Sequence, residues 1–316
     1  MTNVFCGVDL GGTTINIGLV TTGGTIVAEQ QIPSNVHQGV DYVVEQIAVV
    51  IREFTTSEQW DVTIDAIGIG VAGLVNSPDG ILKEATNFPG WIDVPLAEKL
   101  EHLLKLPVIL DNDANVAALG EFSFGAGHGY PNMIMVTLGT GVGAGLILDG
   151  MIYRGAYGAA GEFGHITIDR HGETCGCGRR GCVEAYVGSK GIRRDALRLL
   201  REHPKSLLAA YDPEKLTPKD IFTEAQRQDE VAKTVFRQAG EYLGLGLGNV
   251  VNLLNIQRVV LGGGVALAGE LLIDSAQEAL RYAALNNSDE PVRIVKAQLG
   301  SHSGIVGAAS LAMSLF

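Results

Sequence analysis

Three cysteines fall within eight residues, Cys175, Cys177 and Cys182 in the run CGCGRRGC, and His165 precedes them in the run GEFGH. No other feature limits the folding of this chain as much. Three thiolates and one imidazole complete a tetrahedral zinc set, and Gly176, Gly178 and Gly181 allow the tight turns that such ligation requires. A closed four-ligand set is structural rather than catalytic. The competing reading is a reduced cysteine cluster without metal. Two disulfides are disfavoured, because the fourth cysteine, Cys6, stands alone in an apolar stretch near the start and reads as a small core residue.

Glu162 and Glu184 flank this loop, so a metal that folds it also draws the two carboxylates together, an arrangement suited to gripping vicinal hydroxyls. Taken singly, each reads as a solvated surface acid. At 316 residues and 46% hydrophobic, the chain has the length for two domains and enough apolar surface to exclude disorder. Its 35 acidic and 23 basic side chains leave a formal net charge of -12, which argues against a nucleic-acid partner held by phosphate neutralisation. No apolar run approaches the roughly 20 residues that span a bilayer, and the opening MTNVFCGVDLGG lacks a basic segment followed by a long apolar one. A cytoplasmic protein with no membrane partner is the expectation.

Apolar and polar residues alternate at Ile15, Ile17 and Leu19, break at Thr22, Gly23 and Gly24, and resume over 25–32, which predicts a run of strands joined by turns. Val40, Val43, Val44, Ile47, Val50 and Ile51 are spaced for a helix over 40–54, and 66–75 returns to a buried-strand pattern. Residues 133–150 again place glycines and threonines between two apolar strands, a weak internal repeat. Helical spacing dominates 188–202 and 230–254, and 258–272 reads as strand, glycine turn and helix. The class is α/β. No Pro- or Ser-rich linker separates the halves, so two packed domains with a hinge are expected.

DLGGTT at 9–14 ends an apolar strand with Asp9, followed by Gly11 and Gly12, whose missing Cβ lets backbone N–H groups approach an anion, and by the hydroxyls of Thr13 and Thr14. TLGTGVGAG repeats this chemistry with Thr137, Gly139, Thr140, Gly141 and Gly143. Either turn alone is equally well explained as a hairpin; the pair together suits a polyphosphate gripped from two sides, with Asp9 holding magnesium through water. A third turn, with Gly263 and Gly264, precedes a helix whose N-terminal amides suit the ribose or phosphate end of a nucleotide, and close strand-to-helix packing explains it as well. Neither common nucleotide fingerprint is present, which demotes a dinucleotide oxidoreductase.

VILDNDANVAALGEF at 108–122 is an apolar strand ending in Asp111, Asn112 and Asp113, then a helix from near Ala114. Asn112 and Asp113 each read equally as a helix cap or as a ligand-binding group. Three polar residues exceed what one cap requires, and this end of an open α/β sheet is where ligands bind.

With EFGH, CGCGRRGC, DLGGTT, LDNDAN and TLGTGVGAG in this order, the chain resembles the ROK family of bacterial sugar kinases within the actin-like ATPase superfamily, over essentially its whole length. The resemblance implies a ribonuclease H-like, two-domain fold with a ligand cleft between the domains. It expects a small domain of 1–113 plus 304–316, and a large one of 114–303 carrying the zinc-binding loop 165–182. It further implies transfer of the ATP γ-phosphoryl group to the 6-hydroxyl of a hexose, glucose first, by a homodimer. Asp113 is the expected base; Asn112, Glu162, His165 and Glu184 are expected to hold sugar hydroxyls, with Gly73 and Asn87 completing the sugar site. His165 would then serve zinc with one ring nitrogen and sugar with the other. N-acetylmannosamine and fructose are alternative acceptors, polyphosphate an alternative donor, and a sugar-sensing regulator the alternative class. Thr14 and Asn16 depart from the family, many of whose members carry a lysine in that stretch. Family repressors add a DNA-binding helix-turn-helix, for which the glycine turn's position near the start leaves no room in this sequence.

Overall fold

The alternation at the start of the chain becomes three antiparallel strands, Thr2–Leu10, Thr14–Thr21 and Ile26–Pro33. A computed structural model describes residues 2–56, 60–85, 87–285 and 291–316 and separates into two units. In the first unit, Val62–Val71 pairs in parallel with the first strand, and Val108–Asn112 pairs in parallel with Val62–Val71, completing a five-stranded sheet. The predicted 66–75 strand is broken: Val62–Val71 ends before Gly73, whose φ of 151° turns the chain, and a short strand Leu74–Asn76 follows in a separate three-stranded sheet.

Successive side chains of a strand face opposite ways. Val4, Cys6, Val8 and Leu10 therefore enter a core with Ile15, Ile17, Leu19, Ile67, Ile69 and the buried stripe of the Val40–Thr56 helix. Cys6 is a core residue, as expected. Phe5, Gly7 and Asp9 face the other way, towards the C-terminal helix Ser303–Met313.

That helix lies on a row of glycines. Gly7 pairs with Gly18 on one side and with Gly68 on the other. A Cβ at Gly7 would overlap the Ile305 carbonyl, and one at Gly68 would overlap that of Ala308, so helix backbone rests directly on sheet backbone. The same helix packs as tightly against the Asp113–Phe124 helix, where a Cβ at Gly307 would overlap the Val116 carbonyl. The Asp113–Phe124 helix therefore belongs with the first unit, which comprises Met1–Pro131, Gly145–Gly161 and Gln298–Phe316. This differs from the expected division, which began the large domain at 114.

The second unit comprises Asn132–Ala144 and Glu162–Ala297. Its Arg258–Gly262 strand lies in parallel between Met133–Leu138 and Arg293–Lys296. The long Glu230–Leu254 helix packs against Glu270–Ala283. Among the described residues, no helix is long and apolar enough to cross a membrane.

Overpacking a close backbone contact costs about 1–3 kcal/mol, because neither partner can rotate away. Gly68→Ala should therefore lower unfolding stability by about 2 kcal/mol or more. Urea unfolding checks this, with Gly39→Ala as a control, since a Cβ there would meet nothing within 4 Å; equal effects would mean that the helix does not rest on Gly68.

Candidate active site and metal centre

Where the Val108–Asn112 strand passes into the Asp113–Phe124 helix, three consecutive polar side chains have three different surroundings. Asp111 is buried; its Oδ1 accepts from the Asn112 N–H at 2.7 Å and from Asn115 Nδ2 at 2.9 Å, and its Oδ2 accepts from Arg154 Nε at 2.6 Å. Asn112 caps the helix, its Oδ1 accepting from the N–H groups of Ala114 at 2.9 Å and Asn115 at 3.3 Å. Its Nδ2 donates to the Gly73 carbonyl at 3.0 Å. Gly73 cannot carry a side chain, since a Cβ would fall 2.5 Å from the Glu84 carbonyl oxygen. Asp113 is exposed, its Oδ1 accepts from the Ala114 N–H at 2.9 Å, and among the described residues no cation pairs with it. Capping thus falls chiefly to Asn112.

Asp9 ends the first strand opposite Asn16, whose Nδ2 donates to Asp9 Oδ2 at 3.1 Å; Asn16 in turn accepts from Gln31 Nε2 at 2.7 Å. Asn16 therefore orients the carboxylate. The first turn of the C-terminal helix closes over it, since a Cβ at Gly304 would fall 2.7 Å from Asp9 Cγ. The Gly11–Thr14 turn is closed by the Gly11 N–H on the Thr14 carbonyl at 3.0 Å, leaving Gly12 and Thr13 exposed and Thr14 half-buried. A Cβ on Gly12 would lie 3.2 Å from that of the exposed Asn87, so Asn87 borders this turn.

In the second unit, His165, Cys175, Cys177 and Cys182 place their donor atoms within 4.8 Å of one another. Cys175 Sγ lies 3.8 Å from His165 Nδ1, and Cys177 Sγ lies 3.7 Å from Cys182 Sγ. A tetrahedral zinc with Zn–S bonds of about 2.3 Å sets its sulfurs about 3.8 Å apart, so the four residues fit the metal. Burial pushes the Cys175 thiol up to about 12, while hydrogen bonding from Arg179 lowers Cys177 to about 6. A bound dication would stabilise all three thiolates together. Gly178 and Gly181 have φ of 85° and 70°, as such turns demand; Gly176 lies outside the left-handed region.

His165 Nε2, the nitrogen away from Cys175, is 3.9 Å from Glu162 Oε2. Glu184 Oε1 lies 3.4 Å from Cys175 Sγ, and its Oε2 accepts from the Val142 N–H at 3.0 Å. The metal loop and the 137–143 turn therefore meet at Glu184. A Cβ at Gly141 would fall 2.7 Å from Glu184 Oε2, so this glycine makes room for the carboxylate. Within the turn, the Gly139 N–H donates to the Gly141 carbonyl and Thr137 Oγ1 reaches the Gly143 carbonyl at 3.4 Å, while Thr140 is exposed. Gly263, with φ of 85°, seats its turn against the Leu138 backbone, whereas a Cβ at Gly264 would meet nothing within 4 Å. The helix expected directly after Gly264 is a 3-10 turn, Gly264–Ala268, and the α-helix starts only at Glu270.

Sequence reasoning missed Arg154, Gln31 and Ser189, whose Oγ and N–H both donate to the Gly139 carbonyl. A serine opening a helix is a local signal that could have pointed to the last; the other two act over long separations and leave none.

A model described as the ROK family matches residues 5–314, and a glucokinase of Halalkalibacterium halodurans is 40% identical over 307 residues, 96% of this chain and 93% of that one. The chain belongs to the ROK family. Its fold matches the solved structure of a ROK family glucokinase from Streptomyces griseus in complex with glucose and AMPPNP, with a TM-score of 0.80 and 34% identity over 98% of this chain and 99% of that one. A xylose repressor of Bacillus subtilis is 31% identical over 315 residues, 98% of this chain and 77% of the repressor.

In this ROK chain, Asp113 reaches the surface, but the protein packed around its carboxyl desolvates it and raises its pKa above the ordinary carboxylate range; the Ala114 N–H opposes the shift and the charge of Asp9 adds to it. Burial raises Asp9 also, against the hydrogen bond from Asn16. A carboxyl group whose pKa is higher folded than unfolded costs stability as pH rises through the folded value. Asp113→Asn should therefore be more stable than the parent at pH 7, by a margin that shrinks as pH falls from the raised folded value towards about 4 and is gone below it, where the unfolded carboxylate is protonated too. Thermal midpoints across pH test this, and a margin independent of pH would contradict the electrostatic account. Protein never exposed to chelator should hold close to one zinc per chain, and chelation should lower its melting temperature; less than about half a zinc by elemental analysis would contradict the four-ligand set.

Proposed function

We propose that this chain transfers the γ-phosphoryl group of ATP to the 6-hydroxyl of an aldohexose, with glucose the first candidate, and that Asp113 is the base. The observation that carries this reading is the division of labour at the strand end: Asn112 takes the cap, Asp111 takes the buried ion pair, and Asp113 keeps an exposed carboxylate without a cationic partner among the described residues. The 40% identical glucokinase and the glucose-bound structural relative supply the substrate class.

Asp113 orients the attacking hydroxyl and accepts its proton as the new P–O bond forms. A raised pKa brings this base closer to neutral pH, where proton transfer is better matched. On this reading Glu162, His165 and Glu184 hold sugar hydroxyls, Asn112 does so too, and Gly73 and Asn87 complete the sugar-binding set. The turns with Gly11–Thr14 and Thr137–Gly143 offer backbone N–H groups and hydroxyls to the phosphates, and Gly263 and Gly264 are assigned to the nucleotide. Magnesium, which screens phosphate charge in such reactions, would be held near Asp9. His165, Cys175, Cys177 and Cys182 would hold a structural zinc, which would fix His165 and, through Cys175, the surroundings of Glu184. A cytoplasmic homodimer belongs to the same reading.

Xylose repressors match over nearly the whole chain, so a sugar-responsive regulator without turnover is the second reading. Sugar-stimulated ATP consumption separates the two. Asp113→Ala should lower kcat by roughly 10²- to 10⁴-fold while calorimetry still detects glucose binding. Turnover close to the parent's would remove Asp113 from the role of base. A panel with glucose, N-acetylmannosamine and fructose, and with polyphosphate in place of ATP, assigns acceptor and donor.

A further inference from the structure

We propose that Arg154 is a positioning residue for Asp113, acting through Asp111. The inference rests on Asp113 being the base, as proposed above.

The Asp111 side chain is only 3% exposed, and its ion-pair partner is Arg154, at 2.6 Å. Its other oxygen holds the Asn112 N–H and Asn115 Nδ2, which lie on either side of Asp113 in sequence. Asp111 thus clamps the last residue of the strand to the first turn of the helix, with Asp113 between the two points. Arg154 arrives from a distant stretch, just after the short Met151–Ile152 strand, in a loop closed by the Ala160 N–H on its own carbonyl at 3.1 Å. The guanidinium is one-third exposed and lines a groove of about 520 Å³ with Asp79, Glu98 and Glu101, yet it spans inward to the buried acid.

A buried ion pair adds little net stability compared with an apolar replacement, but losing one partner leaves a charge that the interior cannot solvate. Neither the cap nor the core requires this pair, since Asn112 already caps the helix. What the pair does fix is the direction in which the strand end hands over to the helix. Without Arg154, Asp111 must protonate or draw in water, its bonds to Asn112 and Asn115 shift, and Asp113 moves with them.

Arg154→Gln should lower kcat for glucose phosphorylation by roughly ten- to a hundred-fold, the cost of misplacing a reacting group by about 1 Å, when assayed well below the variant's melting temperature. The double variant Asp111→Asn/Arg154→Gln, which restores a neutral hydrogen-bonded pair, should recover most of that loss. A merely structural arginine would lower the melting temperature and leave kcat of the folded protein unchanged, which would overturn the proposal. Should Arg154→Gln not fold, Arg154→Lys keeps the charge but not the planar donor, and an unchanged kcat there overturns the proposal equally. A second readout needs no turnover: the stabilisation gained from Asp113→Asn at pH 7 should change by about half or more in the Arg154→Gln or Arg154→Lys background, whereas identical gains would mean that the two residues are uncoupled. If the parent protein phosphorylates no sugar, the kinase reading falls, and this second measurement still decides whether Arg154 sets the environment of Asp113.

Discussion

Asp9 and Asp113 owe their placement to how closely the C-terminal helix lies on the sheet of the first unit. Gly7 and Gly68 let helix backbone meet strand backbone, and Gly18 beside them makes room for the Ile305 side chain. One turn of that helix then closes over Asp9 at Gly304, and the next grips the helix that begins with Asp113 through Gly307. Had the helix stood off at the roughly 8–10 Å spacing set by ordinary side chains, neither acid would be held as it is. The C-terminal helix in this sense shapes the candidate site through its backbone.

The close approach has an electrostatic consequence. Desolvation by the surrounding protein and the neighbouring Asp9 raise the pKa of Asp113, so the folded chain bears a strain at neutral pH that a neutral side chain would relieve. Reactive groups are commonly held in this condition, and stability surrendered at such a site is supplied elsewhere in the fold. Here the compensation is local and polar. Glu121, fully buried in the same helix, accepts from the N–H groups of Ala126, Gln298 and Leu299 and ties the chain leading into the C-terminal helix to the helix that carries Asp113.

The cluster of His165, Cys175, Cys177 and Cys182 was legible in the sequence because its thiols are chemically rare and nearly contiguous. The hairpin strands and the long helices were legible because burial repeats with period 2 or 3.6. The glycines were legible only in part. Gly73 and Gly263 do turn the chain at positive φ, but Gly7 and Gly68 sit inside regular strands, and Gly141 makes room for Glu184 rather than shaping its turn. A glycine announces that a side chain is unwelcome without saying what stands in its place. For the same reason the boundary between units could not be read at Asp113. Tight packing of Gly307 on Val116, separated by nearly the whole second unit, is what assigns the helix beyond it to the first.

Asp111, Asn112 and Asp113 show why the site itself resisted reading. They are adjacent, similar in chemistry and equally able to cap a helix, yet one lies at the end of a buried strand, the next at the cap and the third on the first turn. Alternation along the strand turns Asp111 inward, and only a cation brought from 43 residues away makes that burial tolerable. With Asp111 neutralised and Asn112 spent on Ala114, Asn115 and Gly73, the carboxylate left over is that of Asp113. Its availability is thus a product of what its two neighbours are made to do, a property that belongs to the folded junction and to no one of the three residues.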